Sequence, residues 1–260
     1  EGGKKVEAFM SGSYGPCRMG KYAIEQIRIL RELGFELPIR TSVSNNAYRD
    51  LGLGAGFERI VWKGIVAVDY LQKMLWRVRP YEKETGTADN VFNYYLAELA
   101  KRIEHGMEYS ELLKKAKNEF KELIDRTMPR KPLIGINGEI YLRSNRFSNR
   151  DLVKECEKAG LEVVVSSIGE WFMYTAHRNV EDAVKDRRIK KMIVSFIKKN
   201  IQQRDQNKIY GYFKEVLHEE DTATAEILKK SGQFLSSRCG SEAVLSLGSG
   251  IEWMLSLIHI

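Results

Sequence analysis

Three groups of side chains have the type and spacing to do chemistry. The first is a thiol in Gly15-Pro16-Cys17-Arg18-Met19-Gly20-Lys21-Tyr22, where turn residues give way to a helical pattern. Pro16 suits the first helical position, because its missing N–H has no partner there in any case. Cys17 then falls in the first turn. There the unpaired backbone N–H groups and the Arg18 cation favour a thiolate, the form that acts as metal ligand or nucleophile. Buried free cysteines also serve simply as space-fillers. The second group is Glu139, Arg143, Asn145 and Asn149, directly after the apolar run Leu133-Ile134-Gly135-Ile136. Open α/β sheets bind ligands past the carboxyl ends of their strands, which makes these four candidates for binding or acid–base work. The alternative is that Glu139 and Arg143 pair with each other or cap the next helix. The third is His177 beside Trp171, Phe172 and Tyr174, either a ligand or a helix-end cation.

The elements that position these groups follow from hydrophobic spacing. Val6 to Met10 is a short apolar piece. After Cys17, the residues Ala23, Ile24, Ile27, Leu30 and Leu33 recur as one buried helical face, which Gly34 stops. Leu37 to Val43 forms a strand candidate, and the Gly52–Gly56 run reads as a loop. Ile60, Gly64, Ala67, Leu71, Met74 and Val78 mark a long helix that carries Asp69, expected as a paired structural carboxylate, and ends at Pro80. Two further helices cover 92–103 and 113–124. Met128-Pro129-Arg130-Lys131-Pro132 reads as a linker. Beyond it come a strand at 133–137, an extended piece Ile140-Tyr141-Leu142, and a helix from Ser148 or Asn149 with Cys156 on its apolar side. A strand at 161–165 and a helix from Ile168 to His177 follow. This order predicts a parallel sheet covered by helices. Residues 179–217 read as basic amphipathic helix with a break at Gln202 to Asn207. Its stripe of Ile189, Met192, Ile193, Phe196 and Ile197 is expected to face inward.

Bulk composition narrows the classes. The 260 residues are 43% hydrophobic and 30% charged, a soluble globular balance. No apolar run reaches the roughly 20 residues needed to span a bilayer, and Glu1-Gly2-Gly3-Lys4-Lys5 is no signal peptide, so a cytoplasmic protein without membrane partners is expected. The formal charge of +7 is spread among 35 acidic residues, which argues against nucleic acid as a partner. Three cysteines, 17, 156 and 239, are too few and too distant for a disulfide framework or a CxxC zinc site.

Five segments, in order, resemble the 2-hydroxyacyl-CoA dehydratase and CoA-activase superfamily. GPCRMGKY is similar to its GPCR-[FLM]-G-x-Y segment. Ala67-Val68-Asp69 with Arg77-Val78-Arg79-Pro80-Tyr81-Glu82 is similar to its aspartate helix and RPYE run. Gly138-Glu139-Ile140-Tyr141-Leu142-Arg143-Ser144-Asn145 resembles GEIYVR-x-N, Gly169-Glu170-Trp171 an SEW turn, and Gly240 to Gly248 a GEAILSIG segment. The likeness covers most of residues 9–254.

The resemblance implies an α/β protein of two Rossmann-like parallel-sheet lobes with additional helices, truncated at both ends. The lobes would be 1–130 and 131–254. Residues 255–260 look like a translated sequencing adapter rather than a native terminus, and the chain is expected to be an internal stretch of a longer gene. Also implied are an oxygen-sensitive 4Fe-4S or related cluster, an ATP-dependent activase as electron donor, and lyase or reductase action on an acyl-CoA. Cys17 becomes a cluster ligand with Arg18 beside it, and Glu139, Arg143 and Asn145 become catalytic cleft residues. A second cysteine that some relatives carry is Tyr14 here, so the remaining ligands are expected outside this stretch. Two other functions compete: a non-catalytic α/β module that docks the activase, and a nucleotide-sugar or phosphate-dependent transferase using Glu139 and Arg143.

Overall fold

The computed structural model describes residues 6–12, 18–42, 51–217, 222–239 and 242–257. It divides into two compact units, Glu1–Val61 and Trp62–Ile260. The boundary expected near residue 130 therefore lies inside the second unit.

In the first unit, strand β1 (Ala8–Ser11) pairs in parallel with β2 (Ile39–Ser42), Ala8 opposite Ile39. Helix α1 (Met19–Glu32) makes the crossover between them. Its end is sealed as the sequence suggests. Gly34 takes a φ of +82°, and the Phe35 and Gly34 N–H groups donate to the Leu30 and Arg31 carbonyls, the paired bonds of a Schellman stop. Of the expected inner face, Ala23 is buried, whereas Ile24 and Leu33 are exposed.

Helix α2 (Ala55–Val78) begins within the glycine run expected to be a loop, and carries the unit boundary. In the second unit Leu71, Met74 and Val78 of α2 are fully buried. They pack with α3 (Thr87–Glu104), α4 (Ser110–Leu123) and the distal half of α8 (Ile189–Leu217) in one core that includes Leu99, Phe120 and Phe213. A short 3-10 turn, Arg79–Tyr81, ends α2 at Pro80, as expected.

Strand β3 (Leu133–Ile136) pairs in parallel with β4 (Glu162–Val165). Between them run α5 (Ile140–Ser144) and α6 (Leu152–Lys158). Residues 140–142 are thus helical rather than extended, because the Glu139 carboxylate caps the turn by accepting from the Leu142 N–H at 2.9 Å. Cys156 is half-buried against Ile136, Val163 and Val165. The α/β order is as expected, but among the described residues each sheet has two strands, one crossover apiece, and the structure is mostly helical.

Helix α7 (Ile168–Lys185) ends at a left-handed turn in which Arg187 has φ +54°, and α8 then runs unbroken to Leu217. The break expected at 202–207 falls instead at 186–188. Gln202, Asp205 and Gln206 are buried within continuous helix, where side-chain polarity alone suggests a loop. Helices α9 (Thr224–Ser231) and α10 (Glu242–Leu257) close the unit around Tyr174, Ile227 and Val244. Gly135 of β3 admits the Trp253 ring of α10, which a Cβ would strike. Leu255 to Leu257 of the adapter-like tail continue α10.

Candidate functional site

In the second unit, Asp69, Gly138 to Asn145, Gly169 with Glu170, and Glu242, from four of the resemblance segments, meet near the carboxyl ends of β3 and β4, whereas Arg77 and Tyr81 hold Glu162 at the amino end of β4. Asn137 follows β3. Its Nδ2 donates to the Ser246 carbonyl of α10 at 2.6 Å, and its Oδ1 accepts from the Gly138 N–H at 2.8 Å and from Ser166 Oγ, after β4, at 3.3 Å. Gly138 has φ +130°, a conformation that a side chain would resist. The chain thereby turns sharply enough for Glu139 to cap α5 one residue later.

Arg143 is the hub. Its guanidinium donates to the Gly138 carbonyl through Nη1 and to the Ser167 carbonyl through Nη2 at 3.1 Å, so it ties together the loops that follow the two strands. Its Nε is buried with no hydrogen-bond partner among the described residues. Burial makes this guanidinium easier to deprotonate than usual, and the carboxylates of Glu170, Glu242, Asp69 and Glu139 work in the opposite direction. The buried cation is thus held by backbone carbonyls, with carboxylates of α2, the β3–α5 loop, α7 and α10 near enough to favour its charge.

Each of those carboxylates also holds backbone or a hydroxyl. Asp69, buried on α2, accepts from the Ile168 and Gly169 N–H groups at 3.2 and 2.7 Å and so caps the start of α7. Gly169 permits this approach, since a Cβ there would lie 3.0 Å from Asp69 Oδ2. Asp69 is therefore the paired structural carboxylate expected from its place on the helix. Glu242 accepts from the Ile140 N–H at 3.1 Å, and Glu170 from Ser249 Oγ at 2.5 Å. Asn145 Oδ1 accepts from the Ser148 N–H at 2.8 Å, and Asn149 donates to the Leu142 and Arg143 carbonyls at 2.9 and 3.2 Å. Glu139, Arg143 and Asn145 are brought to one locus, each holding backbone.

A cavity of about 440 Å³ opens beside this cluster, lined by Lys73, Arg77, Ser167, Glu170, Gln206 and Trp253 among others. Its size suits a small organic ligand. One wall rests on a buried ion pair that sequence reasoning misses. Glu162, 3% exposed, receives Arg77 and, at 2.7 Å, the Tyr81 hydroxyl. The signal for it is a carboxylate opening an otherwise apolar strand.

Cys17 lies outside the described residues, as do Gly240 and Ser241. Arg18 immediately precedes α1, and its carbonyl accepts from the Lys21 N–H at 2.8 Å. Cys239 is exposed, and among the described residues no three His, Cys, Asp or Glu side chains come together as a metal site. Iron–sulfur clusters take three or four thiolates, so the described residues do not by themselves fit one.

His177 lies within α7, which continues to Lys185, and not at a helix end. Its Nδ1 lies 3.2 Å from Lys199 Nζ and its Nε2 3.4 Å from Glu181. Burial lowers its pKa below the ordinary 6.5, and the Lys199 cation lowers it further. A base with a depressed folded pKa contributes stability that is complete above the unfolded value and lost as pH falls through the folded one. The melting temperature is expected to drop between pH 7 and pH 5 by more in the wild-type protein than in His177→Gln, as thermal denaturation monitored by circular dichroism would show.

No described helix is long and apolar enough to cross a membrane. Compared with family models, curated proteins and solved structures, the chain matches none.

Proposed function

We propose that the chain is part of an iron–sulfur protein of the 2-hydroxyacyl-CoA dehydratase and CoA-activase type, which receives an electron from an ATP-dependent activase and applies it to a CoA thioester. One observation carries this assignment. Residues of four separate segments that resemble that superfamily, spread over more than 170 positions, are joined by hydrogen bonds: Asp69 accepts from the Gly169 N–H, Glu242 accepts from the Ile140 N–H, and Arg143 donates to the Ser167 carbonyl two residues before Gly169. Chance likenesses scattered along a chain have no reason to converge.

Arg143 acts here as a positioning residue. It fixes the loops after β3 and β4, while Glu139 and Asn145 shape the turn between them. The adjoining cavity would take the acyl-CoA portion nearest the sheet. A cluster supplies low-potential single electrons, which a 2-hydroxyacyl thioester requires because its β-proton is not acidic. Cys17 is the one ligand assigned to this chain, with the others contributed from elsewhere in the protein. Full-length protein prepared without oxygen should be brown, and its broad visible absorbance should bleach when activase and ATP are added. Colourless protein, or absorbance indifferent to activase, would leave the docking-module or transferase function in its place.

A further inference from the structure

Six consecutive residues, 162–167, line the cavity beside Arg143, and they include the whole of β4. Side chains alternate along a strand, so a cavity reached by every residue in turn is reached partly by main chain. The ladder shows which residues supply it. The Glu162 and Ser166 N–H groups donate to the Pro132 and Ile136 carbonyls at 2.9 and 3.2 Å, and Val164, midway between them, turns the same way. The N–H and C=O groups of Val163 and Val165 therefore point away from β3. Their side chains are buried with Ile136 and against Cys156, at 2% and 3% exposure, so what they present to the cavity is main chain. No described residue hydrogen-bonds these four groups. Buried main-chain groups are nearly always paired, which makes this open edge a place for a ligand with amides of its own.

Helix α2 gives the cavity a direction. It runs beside β4 in the opposite sense, since Asp69 holds the Gly169 N–H past the carboxyl end and Arg77 holds Glu162 at the amino end. Arg77, with Arg130 ahead of β3, thus marks the amino end of the cavity, and Lys73 stands one turn nearer its middle. Arg130 is exposed and has no ion-pair partner among the described residues. Ser167 and Glu170 mark the other end, where Arg143 holds the Ser167 carbonyl. Helix α8 turns Gln203 and Gln206 toward this space, while its Ile193, Phe196 and Ile197 stripe, expected to face inward, is exposed.

We infer that the cavity holds the phosphopantetheine arm of a coenzyme A thioester, extended along the open edge of β4 with its phosphate at Arg77 and Arg130 and its thioester beside Ser167. The identity of the chain rests on the function proposed above, and its placement on the strand edge. The arm carries two secondary amides, hence two N–H and two C=O groups, the complement of those on Val163 and Val165. Residues 162–167 of an extended strand cover about 17 Å. The roughly twelve chain bonds of the arm equal about four extended residues, ~14 Å, and fit within that length. The thioester then lies where Arg143 ties together the loops that follow the two strands.

Titration calorimetry on the full chain tests this. Phosphopantetheine should bind, and pantetheine, which lacks the phosphate, at least tenfold more weakly. Arg130→Glu should weaken the first at least tenfold and the second less than twofold. Saturating phosphopantetheine should slow amide hydrogen exchange at Val163 and Val165 at least tenfold. Val165→Pro removes an outward N–H without touching the ladder and should abolish binding of both ligands; if that variant does not fold, the exchange measurement on the unaltered chain decides. Absence of phosphopantetheine binding would overturn the assignment. So would binding that is indifferent to Arg130→Glu and leaves the two amides unprotected, or an acetylated Ala-Ala-Asp tripeptide that occupies the edge and is not displaced by phosphopantetheine. Brown, activase-responsive full-length protein without this binding would overturn the site and leave the proposed function standing, whereas colourless protein that binds in this way keeps the site and loses the redox role.

Discussion

Asp69→Ala is expected to cost about 3 kcal/mol, the largest stability loss of any substitution proposed for the second unit. The carboxylate accepts two N–H groups at the first turn of α7 and lies among the anions around Arg143. Hydrogen bonds to a charged group contribute roughly 1.5 to 3 kcal/mol, and buried donors left without a partner add their own desolvation cost. Each kcal/mol moves the melting temperature of a domain of this size by roughly 2 to 4 °C, so the midpoint should fall by roughly 6 to 12 °C. Asp69→Asn keeps the shape and one acceptor, and should lose about half as much. A midpoint unchanged in Asp69→Ala would mean that α7 is held by its packing alone.

Much of this cluster is legible in the residues alone. The spacing of Leu71, Met74 and Val78 identifies α2, and the place of Asp69 on that helix marks a carboxylate in need of a partner. Glu139 is recognisable both as a group beyond a strand end and as a helix cap, and it is a cap. What spacing cannot give is where distant segments meet. That Asp69 finds the Gly169 N–H, or that Glu162 holds Arg77 and Tyr81, depends on contacts about 80 to 100 residues apart. Helix α8 misleads for a different reason. Its proximal pattern is amphipathic by itself, and polar residues at 202–207 look like an interruption. Rotation of the whole helix is fixed by Phe213 some twenty residues on, and those polar side chains are buried by tertiary packing.

The division expected near Pro129 to Pro132 rests on proline and charge, which mark a change of element. In the structure the Lys131 N–H donates to the Tyr81 hydroxyl at 2.9 Å, so this segment is stitched to the end of α2. Proline punctuates local structure whether or not a domain ends there.

The second large effect concerns Cys17. On the proposed assignment Cys17 is a cluster ligand, and a methyl group cannot take the place of its thiolate. Cys17→Ala in the full-length protein should therefore strip most of the bound iron and sulfide. Cys156→Ala provides the control. Half-buried beside Val163 and Val165, it should cost about 1 kcal/mol of stability and leave the metal content unchanged.

Iron and acid-labile sulfide per chain, measured on oxygen-free wild-type, Cys17→Ala and Cys156→Ala proteins, test the assignment most directly. Stoichiometric iron and sulfide in the wild type and in Cys156→Ala, with near-complete loss in Cys17→Ala, is the expected result. Wild-type protein without iron, or Cys17→Ala with its full complement, would contradict it.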